Sequence, residues 1–247
     1  MTNANNIEHG DIGVRSTDLS DLVDANHILF NQAVVDAFGH VSMRDSIRRD
    51  RFWLSASKAP ALVQRDDLIS FDFNGNPESD GRPAYLERFI HAAIYRARPD
   101  VMAIVHSHSK TVIPFGISGV SLRPVCHMCG FIKMGTPVFE IREHAGTATD
   151  LLIRDLRLGT SFADCLGSHN LALMRGHGIT VVGSDLRQAV FRAIYVEVNA
   201  RLQIESLRLS SDVVYLTDEE ADAADAAADK QINRAWDLWK QQSATRF

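Results

Sequence analysis

Residues 101–109 read Val101-Met102-Ala103-Ile104-Val105-His106-Ser107-His108-Ser109. Apolar and β-branched side chains dominate the first five positions, so the stretch predicts a buried strand that ends in histidines. Side chains two apart on a strand share a face, which sets His106 beside His108 as a natural two-toothed grip on a metal ion. A His-x-His pair alone is a weak motif, because two histidines can simply meet at a strand end. The apolar run before it strengthens the metal reading, since it places the pair on a rigid element where a site can be preorganised.

Immediately upstream, residues 86–98 predict an amphipathic helix with Phe89, Ile90, Ala93 and Ile94 facing a core, broken by Pro99. The connection through Pro99 is short, so the helix leads straight into the histidine strand and Glu87 returns to the neighbourhood of the pair. A glutamate at a helix start is favoured by the macrodipole alone. Next to a dication, the same carboxylate serves as a ligand or as a general acid/base. Further downstream, His177 stands between Gly176 and Gly178. Flanking glycines let the backbone turn sharply and approach a neighbour closely, which a core-packing histidine rarely needs.

The rest of the chain reads as alternating strands and helices. Residues 18–39 place Leu22, Ala25, Leu29 and Ala33 at helical spacing, with Gly39 as the stop. Short strands follow at 40–44, 51–55 and 68–73, the last closed by the Asn74-Gly75 turn signal. Residues 137–141 predict a strand, 150–159 a helix ended by Gly159, and 170–183 two strands joined by a turn. A long helix is expected from an N-cap at Ser184 or Asp185 to Leu209. The acidic, alanine-rich stretch 218–240 should also be helical, with Trp236 and Trp239 exposed for packing on another subunit. Residues 1–17 predict a flexible polar tail. No repeat or linker divides residues 18–247, which are read as one α/β catalytic domain of mixed sheet with helices on its faces and a C-terminal helical segment.

Composition narrows the function classes. The 247 residues carry 31 acidic and 26 basic side chains, and a pI near 6.0 gives no electrostatic footprint for nucleic acid or anionic lipid. No apolar run approaches the ~18 residues of a membrane span, and the N-terminus lacks a signal-peptide pattern. Three cysteines without a secretory signal suit a reducing cytoplasm, the expected location. Cys126 and Cys129 have C-x-x-C spacing, but no second pair completes a zinc knuckle, so a structural role is preferred. Of five lysines, only Lys110 is expected beside the site, so an imine mechanism lacks support.

The order of these features resembles the class II aldolase/adducin family. The resemblance covers roughly Leu19 to Thr217 and rests on Gly39-His40-Val41-Ser42-Met43-Arg44, on Glu87-Arg88-Phe89-Ile90-His91, on the strand Ala103 to His108, and on Arg175-Gly176-His177-Gly178. It implies a three-layer α/β/α sandwich with a mixed central sheet, assembly as a homotetramer, and a metal site near a subunit boundary. It also implies His106, His108 and His177 as metal ligands. Glu87 matches the glutamate that coordinates the resting metal and shuttles protons in turnover. Such donors suit zinc, and also manganese or iron(II).

The departures bear on the substrate. Sugar-phosphate aldolases of this family carry a Gly-Asn pair early on, and two small hydroxyl residues just before the glutamate. Here His40 and Tyr85-Leu86 occupy those places, and their bulk argues against a phosphorylated sugar. A flat aromatic substrate fits better, with Phe38 and Tyr85 as walls and His40 as a donor. Arg123 and His127 would suit a carboxylate, although Arg123 reads equally well as an exposed loop cation.

With the run Ala25 to Gln32, these features look most like the subgroup that decarboxylates hydroxy-methylpyridine dicarboxylate or dihydroxyphthalate. The expected activity is metal-dependent decarboxylation of a hydroxylated aromatic or heteroaromatic dicarboxylate, through a metal-stabilised enolate-like intermediate, with Glu87 or His127 supplying the proton. Two alternatives are an aldolase or dehydratase acting on an unphosphorylated hydroxy-carbonyl compound, and an adducin-like binding module without chemistry. Retention of the three histidines and Glu87 argues against the last.

Overall fold

A computed structural model describes residues 16–78 and 81–246. In chain order they form α1 (Ser16–Asn31), β1 (His40–Arg44), β2 (Arg51–Ser55), β3 (Leu68–Asp72), α2 (Arg88–Ala97), β4 (Ala103–Ser107), β5 (Val138–Phe139), α3 (Arg142–Ala145), α4 (Leu156–Leu166), β6 (Leu171–Met174), β7 (Gly178–Gly183), α5 (Leu186–Leu209), α6 (Asp218–Asp229) and α7 (Ile232–Ala244). The stretch expected to be a flexible tail lies outside the described residues as far as residue 15, and Ser16 opens α1.

The strands join one sheet in the order β3-β2-β1-β4-β7-β6-β5. All neighbours are antiparallel except β5 and β6, which makes the sheet mixed. Alternation along each strand splits the core in two. Val41, Ala103, Val105, Ile179 and Val181 face one cluster with α1, α5 and α7. Ile104, Phe52, Leu54 and Val182 face the other, packed against Ile90 and Ile94 of α2 and Phe162 of α4. Helices therefore cover both faces, giving the three-layer sandwich.

Three expectations need correction. First, α1 ends at Asn31 and not at Gly39. Ala33 adopts φ 58°, and the N–H groups of Ala33 and Val34 return to the carbonyls of Phe30 and Leu29. This is a Schellman closure with alanine in the place glycine usually takes, so the stop carries no sequence signal. Gly39, at φ 94°, instead lets the chain pass close to the His106 carbonyl as it enters β1.

Second, 150–159 is not a helix. Asp155 caps α4 by accepting from the Leu158 N–H, and Gly159 lies inside that helix. A Cβ at Gly159 would run into the Phe89 carbonyl, so this glycine permits close packing of α4 on α2 and does not end a helix. Third, Trp236 and Trp239 are buried within the chain, where Trp239 meets the rings of Phe191 and Tyr195 on α5. They fill this subunit's own core.

Candidate metal centre

Three elements converge beyond one end of β4. His106 is the penultimate residue of that strand and His108 follows just past its end. His177 occupies the turn between β6 and β7, where Gly176 takes φ 66°. A Cβ at Gly178 would collide with the Ser107 carbonyl, so the glycine lets β7 press against β4 and brings His177 to the pair. Glu87 immediately precedes α2 and turns its side chain to the cluster, not to the helix N–H groups.

The four side chains form a cluster whose donor atoms all lie within 4.8 Å of one another, the only such metal-competent group among the described residues. His177 Nε2 stands 3.0 Å from His108 Nε2, and Glu87 Oε2 lies 3.3 Å from His177 Nε2 and 3.6 Å from His106 Nε2. Ligands about 2.0–2.1 Å from one tetrahedral zinc ion sit about 3.3 Å apart, so this spacing fits a shared divalent ion. His106 Nε2 is buried and has no hydrogen-bond partner among the described residues. A buried lone pair in that state is costly unless something accepts it.

Outer contacts orient three of the four ligands. The Leu151 carbonyl, 2.9 Å from His177 Nδ1, can only accept, so Nδ1 carries the proton and Nε2 is left with a lone pair. His106 Nδ1 meets Thr180 Oγ1 at 3.2 Å. Glu87 Oε1 accepts from the Ile153 N–H at 3.1 Å, which leaves Oε2 for the cluster. Burial, then the neighbouring imidazoles, holds His106 well below the ordinary histidine range, and burial with His177 also lowers His108. Both are thus kept in the neutral form that binds metal. At His177 burial also opposes the charged form, but the hydrogen bond and charge of Glu87 and the Leu151 carbonyl outweigh it and raise the pKa.

A cavity of about 570 Å³ opens on the cluster through Glu87 and His108. Phe38, His40, Lys58, Tyr85 and Leu86 line it. The Tyr85 hydroxyl donates to the Lys58 carbonyl, and its ring lies 4.6 Å from that of His40. Phe38 is exposed and stacks towards His108 at 6.2 Å between centroids. Of the residues expected to contact substrate, His40 and Tyr85 thus line this cavity.

Arg123 and His127 do not. The Arg123 guanidinium lies 3.9 Å from the centre of the Tyr215 ring and lines a different cavity, and His127 is exposed at the start of a 3-10 turn over His127–Ile132. Lysine placement also differs from expectation. Lys58 lines the metal-side cavity, whereas Lys110 lines a second one across His108, with Glu197 and Arg201.

The segment at 151–153 is what sequence reasoning missed. It orients His177 and Glu87 through a carbonyl and an N–H, and every residue type carries a backbone carbonyl. Its one structural mark, Leu151 at φ 69°, leaves no trace in residue identity.

An α/β/α sandwich that gathers three imidazoles and a carboxylate at the mouth of a cavity is the scaffold of a metal-dependent enzyme. A family model described as Class II Aldolase and Adducin N-terminal domain matches residues 20–204. Decarboxylase tropJ of Talaromyces stipitatus is 37% identical over 242 residues, spanning 89% of this chain and 91% of that protein. A 3,4-dihydroxyphthalate decarboxylase of Arthrobacter keyseri is 25% identical over 229 residues, 86% and 88% of the two chains. Among solved structures, an L-fuculose 1-phosphate aldolase from Glaciozyma antarctica superposes with a TM-score of 0.76 at 22% identity, covering 94% of this chain and 91% of that one, a likeness of fold. The chain belongs to the class II aldolase/adducin family. With its centre of three histidines and one glutamate, it is a metal-dependent lyase.

Proposed function

We propose that the protein is a metal-dependent decarboxylase of a hydroxylated aromatic or heteroaromatic dicarboxylate. The observation that carries this reading is the cavity, where aromatic walls, Lys58 and the histidine–glutamate cluster meet in about 570 Å³. Two relatives that match most of the chain are named as decarboxylases, one of them for 3,4-dihydroxyphthalate.

In this reading His106, His108, His177 and Glu87 hold a zinc, manganese or iron(II) ion. The ion would supply Lewis acidity towards substrate oxygen, stabilising the negative charge left when CO2 departs. Phe38 and Tyr85 flank the ring, and the bulk of Tyr85 and Leu86 excludes a sugar phosphate. Lys58, which pairs with Asp67 at 2.7 Å, would meet a second carboxylate by turning towards the cavity it lines. In the reaction the bond from ring carbon to carboxylate breaks, its electron pair stays on the ring, and a proton takes the place of CO2. Glu87 is suited to deliver that proton and to regain one from solvent for the next turnover, because Oε1 is anchored on Ile153 while Oε2 faces the cluster.

Arg123 and His127 would act only from a neighbouring copy, which makes their proposed roles part of the homotetramer reading. Mixed with divalent metal, the purified protein should release CO2 from 3,4-dihydroxyphthalate and no aldehyde from L-fuculose 1-phosphate. Aldehyde without CO2 would reject the decarboxylase reading in favour of aldol cleavage.

A further inference from the structure

Behind His40 a chain of buried polar groups runs away from the cavity into the α2 side of the sheet. His40 and Ser42 share one face of β1, and His91 and Tyr95, four apart on α2, meet that face. His40 Nδ1 lies 2.7 Å from His91 Nε2, His91 Nδ1 lies 2.6 Å from Ser42 Oγ, and Ser42 Oγ lies 2.8 Å from the Tyr95 hydroxyl. All four residues are buried. The remaining nitrogen of His40, Nε2, makes no hydrogen bond among the described residues, and His40 lines the metal-side cavity.

Counting protons gives the chain a direction. Both rings are buried, which disfavours a charged imidazole, and burial drives the His91 pKa down to about 3, so each ring carries one proton. Four protons, on Tyr95, Ser42, His91 and His40, serve three links, so one is surplus; Ser42 Oγ could accept from both neighbours, but its own O–H would then be a buried donor with no acceptor among the described residues. If the links run inward from His40, the surplus proton is the Tyr95 O–H. That hydroxyl has no partner but Ser42 among the described residues, so a buried donor would be orphaned. If they run outward, Tyr95 donates to Ser42, Ser42 to His91 and His91 Nε2–H to His40 Nδ1. The surplus proton is then His40 Nε2–H, at the cavity. Only the outward order satisfies every buried donor.

We propose that His91, Ser42 and Tyr95 act as positioning residues that lock His40 as the Nε2–H tautomer, so that the cavity presents a fixed donor selecting substrates by an oxygen acceptor, a carboxylate or phenolate. A hydroxyl needing an acceptor would find none there. The link to catalysis rests on the decarboxylase reading; the tautomer does not.

The test is 15N NMR of the His40 ring in zinc-loaded protein, assigned by comparison with His40→Gln, together with kinetics on 3,4-dihydroxyphthalate. The expected spectrum has Nε2 protonated and Nδ1 bare. Ser42→Ala removes the hydroxyl that directs His91, so His40 should populate both tautomers and KM should rise about tenfold, the scale of one lost hydrogen bond, with kcat changing less. Ser42→Thr, which keeps the hydroxyl, should restore both readouts. A native spectrum with Nδ1 protonated would overturn the proposal, as would Ser42→Ala with unchanged His40 signals. The native spectrum decides the tautomer even if Ser42→Ala fails to fold, and it is read without turnover. Failure of the decarboxylase reading is therefore seen separately, as absence of CO2.

Discussion

The two faces of β1 and β4 are equally buried and chemically opposite. Towards α1 and α5 the strands present Val41, Ala103 and Val105, which need only neighbours of matching shape. Towards α2 they present His40, Ser42, Arg44 and His106, each of which needs a partner for every polar atom. Arg44 meets that demand with the carbonyls of Val101, Arg49, Tyr95 and Arg98. The β1–β4 register sets His40 directly opposite His106, and His106 opposite Thr180 on β7, so a polar row crosses the middle of the sheet. One face holds the sheet together; the other is organised around a lone pair on His106 Nε2 that no described residue bonds.

Substitutions can break this contrast, and the largest effect belongs to the polar face. His106→Ala should abolish stoichiometric metal binding and cut turnover by well over about a hundredfold, more than loss of a residue that merely orients a ligand costs. Metal analysis and steady-state kinetics would measure it. Next comes the metal itself. At a free concentration about a hundred times Kd it should add about 2.7 kcal/mol of stability in thermal or denaturant unfolding, and His106→Ala should lose that gain.

On the apolar face, Val105→Ala should cost about 1–3 kcal/mol in denaturant unfolding while metal content stays at the native level. Loss of metal in that variant would show that the two faces are not independent. The smallest effect is expected at the cavity wall. Tyr85→Phe removes the donor to the Lys58 carbonyl and should cost about 1 kcal/mol of stability, with metal content unchanged.

The same contrast explains what the sequence revealed. The apolar period of 101–105 and the two-residue spacing of His106 and His108 are carried by side chains, so the strand and its grip were legible. The glycine flanks of His177 were legible for the same reason, since Gly176 and Gly178 meet a backbone demand that only glycine satisfies cheaply. Glu87 was legible as a neighbour of the pair, but its anchoring by Ile153 was not, because a backbone N–H carries no residue label.

Gly159 misled for a related reason: a glycine that ends a helix and one that lets two helices touch look identical until Phe89 is in place. The exposure expected of Trp236 and Trp239 does not hold because an amphipathic terminal helix can cover its own subunit as well as another. The contact of Trp239 with Phe191 and Tyr195, and the burial of Trp236, decide it. The proton order that His91 imposes had no sequence signal at all, since it needed the distances to Ser42 and His40.

The cluster of His106, His108, His177 and Glu87 is proposed as a metal centre for decarboxylation. The most direct measurement follows carboxylate-labelled 3,4-dihydroxyphthalate with native protein stripped of metal, the same protein reloaded with zinc, manganese or iron(II), and His106→Ala. Labelled CO2 should form in step with loss of substrate only in the reloaded native protein. Equal CO2 release from the stripped protein or from His106→Ala, or reloaded protein that releases none, would contradict the account.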